Sequence, residues 1–403
     1  MVKLRSILLF LVLYSTACLG APRSNSASLG SGCSINTNKD LSKTQPLVLV
    51  HSKNGEYEFA YPESGDIINF SNRDQVILAC PGSSFEDKNT QDIREISCSG
   101  GSDFDSGNSK KPLSDMECTK LPESNLKKIG TCEGEKTLLK VGFDVGNSGF
   151  LPVMDLCFDE NNNIPVYTVH KITSNIKGSQ KGFERSSFNE SFLFKDVATT
   201  QAYKNNNQRT MFLKTLSNHV AQKYIQGNHF LAKGHCVPKA DFVFGAQQDA
   251  TFYYANTAPQ WQAFNSGNWQ KLEAGIRRLA AQKKINLTVY TGVHGVLKIS
   301  DKELYLTETS SGRKTIPVPQ IFWKVVHDEK ADRAVAFVGI NDPFADRKDN
   351  VATNLQKENI CDQINWVSFN NDPEKGLMYC YNVKDIQYKI KSMPKIKNAY
   401  ILN

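Results

Sequence analysis

The chain has 403 residues, with 48 Lys and Arg against 41 Asp and Glu, 40% hydrophobic residues and ten cysteines. At roughly 150 residues per domain this allows two or three domains with real cores. The composition excludes wholesale disorder and a polytopic membrane protein. The net charge of +7 implies some affinity for anions without naming one.

Residues 1–20 read as a secretory signal. Lys3 and Arg5 form a positive start, and the apolar run 7–14 is too short to span a bilayer. Cys18 and Gly20 are small residues before a plausible cut at Ala21. The mature chain is therefore expected to be soluble and extracellular, with no membrane partner. It keeps a net charge of +5 and nine cysteines, most of which should pair in an oxidising compartment. The absence of any Cys-x-x-Cys pair argues against zinc, and the odd count leaves one thiol free or shared with another chain. Asn69, Asn189 and Asn286 head triplets compatible with glycosylation.

The charge is unevenly spread. Residues 21–160 carry 14 basic and 21 acidic side chains, net −7, whereas 161–403 carry 32 and 20, net +12. The polar run 159–163 lies at the change and suggests a boundary, giving an acidic disulfide-rich domain over 21–160 and a basic domain over 161–403. In the first, 46–50 and 75–80 are strand-like and 99–111 is a Gly/Ser/Asp-rich surface loop. In the second, 166–171 alternates as a strand, 200–224 is partly helical, and 251–254 is strand-like by its aromatic content. Over 268–284, Trp269, Leu272, Ile276, Leu279 and Ala280 form one apolar stripe of a helix. Strands follow at 287–291, 321–326 and 334–338, so the mixed order predicts an α+β fold.

Three pieces of the basic half carry chemistry. His235, in Lys233-Gly-His-Cys-Val-Pro-Lys-Ala-Asp241, is expected in an accessible turn, with a near-neutral pKa that suits proton transfer from water. Asn256 follows the aromatic segment, and Asn265 stands just outside the helix. Glu273 lies in its second turn with Arg277 at i+4, which alone would be an ordinary helix ion pair. Together they place an imidazole, two amides, a carboxylate and a guanidinium within about 45 residues, a set for one hard cation. Amide oxygen with retained water suits one Mg²⁺ better than zinc.

The blocks Lys233-Gly-His235, Ala240-Asp-Phe242, Thr251-Phe-Tyr-Tyr-Ala-Asn-Thr-Ala-Pro-Gln260 and Phe264-Asn-x-Gly-Asn-Trp-x-x-Leu-Glu273 resemble the DNA/RNA non-specific endonucleases. Tyr290-Thr-Gly-Val-His-Gly295 and Val318-Pro-x-x-Phe-Trp-Lys-Val-Val326 are similar to later blocks of that family, so the likeness spans roughly 160–385. It implies a ββα-metal (His-Me finger) nuclease domain preceded by a small disulfide-rich β domain, as in secreted insect members. Carried over, His235 is the general base and Asn265 the direct Mg²⁺ ligand. Glu273 holds metal-bound water, Asn256 helps position that cluster, and Arg277 stabilises charge on phosphate. Arg185 and Lys233 join Arg277 in binding nucleic acid.

The family's Asp-Arg-Gly-His signature is here Ala232-Lys-Gly-His235. The carboxylate is gone, and Lys233 keeps charge without the bidentate fork of arginine. Losing one preorganised electrostatic group typically costs about 10²–10³ in rate. Binding depends on summed charge and should suffer less. The expectation is a secreted binder of DNA and RNA, without sequence preference, with weak residual hydrolysis; the alternative is a fully active Mg²⁺-dependent endonuclease. Heparin-like polyanions are further candidate partners of the basic half. Cys236 is the candidate odd thiol, and the lysines at 384, 389, 391, 395 and 397 are either a frayed tail or added phosphate-binding surface.

Overall fold

The computed structural model describes residues 32–403, apart from 64, 88–90, 108, 147–148, 228, 349 and 399. The expected signal segment, with Cys18, lies outside the described residues.

Short apolar runs between Gly, Asn and Ser turns build an antiparallel six-stranded sheet early in the chain. Its order is Tyr57–Phe59, Leu47–His51, Gln75–Ala79, Ile93–Gly100, Asp103–Asp105 and Lys110–Pro112. The last two strands occupy the stretch expected as a loop. There Phe104, between Asp103 and Asp105, is fully buried and pins the register. Cys33–Cys98 and Cys80–Cys118 staple this sheet to its surroundings.

A nine-stranded sheet forms the centre of the molecule. Its path runs Met378–Tyr381, Arg333–Ile340, Pro319–Asp328, Leu287–Val296, Ile164–Ile172, Phe150–Asp159, Lys136–Asp144 and Asn125–Cys132, with Tyr400–Ile401 beside Arg333–Ile340. This corrects the boundary placed at 160. Residues 159–163 are the turn of a hairpin whose strands pair from Met154↔His170 to Asp159↔Ile164. Asp159 holds that turn by accepting from the backbone of Asn161 and Asn162. The sheet starts at Asn125, so the acidic part that stands outside it is 32–124. Cys132–Cys157 lies within the large sheet.

Both faces of the sheet are covered, which is why its central strands read as continuous apolar runs. Along Pro319–Asp328, Phe322 and Val326 pack on one face, Ile321, Trp323 and Val325 on the other. The second face is closed by the C-terminal segment through Ile386, Ile390, Met393 and Ile396. The C-terminal lysines are therefore neither a frayed end nor near the first face; Lys389 pairs with Glu358. The first face carries the expected helix, realised as Gln270–Lys283, with all five stripe residues buried. The architecture is α+β, rich in sheet and with few long helices.

Candidate nucleic-acid cleft

A two-stranded antiparallel ribbon, Leu231–His235 with Thr257–Trp261, leads into the helix Gln270–Lys283. His235 is not in a turn: it ends the first strand, with Thr257 as its cross-strand partner. The strand-like 251–254 is instead a turn entering the single 3₁₀ turn Tyr254–Asn256. Between ribbon and helix, Asn265–Trp269 forms a wide π-type turn around Gly267. There the backbone of Lys375 would meet a Cβ at 2.8 Å, so only glycine fits without movement. Asn265 consequently sits at the start of this turn rather than at the N-cap of the site helix, which is Trp269.

Arg185, Lys233, His235, Asn265, Glu273 and Arg277 all line one cleft of about 580 Å³, together with Ala232 and Lys239. Six of the seven residues expected at the site are thus brought together. Asn256 is the exception. It is fully buried: its Oδ1 accepts from Val237 N at 2.9 Å, and its Nδ2 donates to Val237 O and Thr251 O at 3.0 Å. With every amide group engaged it fixes the chain just past His235 and does not reach the cleft.

The His235 ring packs against Phe188 and Phe252, at centroid distances of 5.0 and 5.2 Å. Burial, reinforced by the charges of Arg185 and Lys233, pushes its pKa down to about 3, far from the near-neutral value expected. The imidazole is neutral at physiological pH. Its Nε2 is sealed from solvent without a partner, which leaves Nδ1 for proton exchange with the cleft. The Lys233 ammonium lies over three rings, 5.0 Å from Phe188, 5.5 Å from Tyr254 and 5.9 Å from Tyr203. Ala232 stands across from Gln260, which is fully buried with neither amide atom hydrogen-bonded. The Gln260 side chain leans over Gly234, where a Cβ would come within 2.6 Å of its Oε1.

Arg277 does not pair with Glu273. Its Nη1 donates to Asp241 Oδ1 at 2.7 Å, while His170 Nε2 lies 2.9 Å from the other oxygen of the same carboxylate. Burial works against the Asp241 carboxylate, but the His170 bond and the Arg277 charge hold its pKa below the usual range. Glu273 has no such partner. Burial pushes it up to about 7, and the positive charge of Lys324 only partly opposes this. Lys324 is itself fully buried, donating to Thr291 Oγ1 and to the Cys236 carbonyl, with its ammonium 5.2 Å from the Trp269 ring centroid. Asp241 and Lys324 are buried members of the site to which the motif blocks give no role. A lysine amid the apolar run 321–326 was the available signal, since buried lysines are almost always paired.

Among the described residues no group of three His, Cys, Asp or Glu side chains is placed to hold a metal. The cleft instead offers two oxygen donors, the Asn265 amide and the Glu273 carboxylate, and neither hydrogen-bonds to a described side chain. That donor set fits a hard cation that keeps most of its water. Cys236 is the free cysteine among the described residues; burial pushes its thiol up to about 12, so it is inert. Cys361–Cys380 completes the pairing.

A histidine-bearing ribbon that feeds a metal-type helix defines a class, the ββα nucleases. The family model for DNA/RNA non-specific endonucleases matches residues 134–386, and the chain belongs to that family. It is 30% identical over 331 residues to a salivary endonuclease of Lutzomyia longipalpis, covering 80% of this chain and 74% of that one. It is 28% identical over 372 residues to the salivary protein Tsal2A of Glossina morsitans morsitans, covering 90% and 92%. A salivary endonuclease of Culex quinquefasciatus is 26% identical over 308 residues, covering 74% and 76%. The chain therefore falls in the insect salivary branch. Among the described residues no helix is long and apolar enough to cross a membrane.

Proposed function

We propose that this protein is secreted in saliva and binds DNA and RNA without regard to sequence, with slow residual Mg²⁺-dependent phosphodiester hydrolysis. The observation that carries this reading is the cleft itself. It keeps His235, Asn265, Glu273 and four basic side chains, yet its signature strand carries Ala232, so that strand brings no carboxylate to the cleft.

Arg185, Lys233, Lys239 and Arg277 draw the phosphate backbone into the cleft, and backbone contacts carry no sequence information. His235 Nδ1 takes the proton of the attacking water. Arg185 and Lys233 oppose the imidazolium that results, and a phosphodiester lying between them offsets that cost. Asn265 and Glu273 would hold a hydrated cation, which when bound would supply positive charge where oxygen becomes negative. Arg277, fixed by Asp241, faces the same phosphate. Lys233 delivers a point charge where the family has a bidentate guanidinium, and nothing replaces the missing acid. Signal cleavage before Ala21 and glycosylation at Asn69, Asn189 and Asn286 belong to the same reading; all three asparagines are exposed.

Incubation with plasmid and double-stranded RNA, with Mg²⁺ or with chelator, tests it alongside a gel-retardation assay. Retardation with slow, Mg²⁺-dependent nicking is expected. Complete digestion at catalytic protein levels would establish the fully active endonuclease instead. No retardation at about 100 mM salt would remove both readings.

A further inference from the structure

Adjoining the cleft is a second, open cavity of about 670 Å³. The two share Lys239, Ala240 and Arg277 as a common wall. The site helix continues into it: Ala274, Arg277, Arg278, Ala281 and Gln282 repeat at helical spacing along one face. Lys177 and Arg278 add two charges that have no ion-pair partner among the described residues, and no carboxylate residue lines the cavity. Arg277 and Arg278 are consecutive on this helix, so one cation stands on the shared wall and the next in the second cavity alone.

The opposite wall is aromatic and rigidly held. Phe183 lines the cavity with its ring backed by Gly245, where a Cβ would collide with the ring. Its loop carries no long element of its own but is clamped by the acidic N-terminal part. Gln45 and Gln180 exchange paired amide bonds of 2.7 and 2.8 Å, Asn38 Oδ1 accepts from Lys181 N at 2.8 Å, and Thr37 Oγ1 donates to Gly178 O at 2.8 Å. The acidic part thus braces the wall of the basic cavity.

Resting on the proposed nucleic-acid function of the cleft, we propose that this cavity is a second binding site for an unpaired nucleotide adjoining the one in the cleft. Lys177 and Arg278 take its phosphate, and Phe183 stacks on its base. A sulfated polysaccharide has the charge but no base, so stacking separates the two. Aromatic platforms flanked by cations are how single strands are held without sequence preference.

The test is fluorescence anisotropy of the full-length mature chain with a labelled single-stranded 12-mer across a salt series. Four proteins are compared: wild type, Lys177→Glu with Arg278→Glu, Phe183→Leu, and a control reversing Lys384 and Lys391 on the opposite face. Equal thermal melting of all four shows that they fold alike. The Lys177/Arg278 pair should weaken binding at least tenfold and lower the salt slope by about 1.4, at 0.7 per lost single-strand contact. Phe183→Leu should weaken the 12-mer about fivefold or more with the slope unchanged, and leave heparin binding as it was. An unchanged affinity in either variant, or an equal loss in the control, overturns the proposal. If wild type binds and the variants match it, the second site alone fails. If wild type does not bind, the nucleic-acid reading fails with it.

Discussion

At the scale of single residues, the cleft is a balance of charges held out of water. Asp241 is ionised because His170 and Arg277 bind it; Glu273, lacking a partner, resists ionisation; His235 is kept neutral. For His235 the sign of the pH effect follows directly. Its folded pKa, about 3, lies below the unfolded value near 6.5, so below pH 6.5 the unfolded chain takes up a proton that the folded chain refuses. Stability is thereby lost as pH falls from 6.5 towards 3. His235→Gln removes that contribution, so urea midpoints measured from pH 7 to 4 should fall less steeply in the variant. The same substitution should abolish cleavage and leave binding within about twofold, read by gel retardation, because general-base catalysis contributes about 10²–10⁴ and charge is unchanged. His235, Asn265 and Glu273 stand out in the motif blocks and Arg277 by its i+4 spacing, and the four share one cleft. Their environments were not legible in the sequence, because burial, the Phe188 and Phe252 rings and the Asp241 bridge come from residues distant in sequence.

At the scale of elements, periodicity served well where one packing face dominated. The five-residue stripe of the site helix is buried as expected, and the strands at 166–171, 287–291, 321–326 and 334–338 all lie within observed strands. It failed where side chains answer to tertiary partners. The aromatic run 251–254 is a turn because Tyr253 reaches out to Ser124, donating to its carbonyl at 2.6 Å, and Phe252 packs on His235. The π-type turn that presents Asn265 has no local sequence signature beyond Gly267. Gly267→Ala tests its importance. Its Cβ would press on the Lys375 backbone, so an overpacking cost of about 1–3 kcal/mol is expected in urea unfolding. Cleavage should fall further than stability does, with the Mg²⁺ concentration for half-maximal rate raised. A wild-type Mg²⁺ response would show that the turn does not position the cation ligand.

At the scale of the whole molecule, the opening charge asymmetry is real, but its boundary moved. A charge count cannot see that 125–159 supplies three strands to the central sheet, because those pairings are fixed by register with Ile164–Ile172. A fragment beginning at residue 161 should therefore be insoluble or lack cooperative unfolding by circular dichroism, having an unpaired sheet edge and no Cys132–Cys157 bridge. A soluble, cooperatively melting fragment would restore the boundary at 160. The six early cysteines pair among themselves and the acidic part touches the loop before Arg185, relations that no spacing in the sequence specifies.

The central claim is that an intact binding cleft has lost catalytic rate at two positions of its signature strand. Converting Ala232→Asp together with Lys233→Arg, and measuring Mg²⁺-dependent cleavage of plasmid beside affinity for the same DNA, tests it most directly. The account predicts a rise in cleavage of at least 10²-fold with affinity changed less than about threefold, since rate depends on the preorganised groups and binding on summed charge. Unchanged cleavage in a folded variant would contradict it, and would place the limit on rate outside the signature.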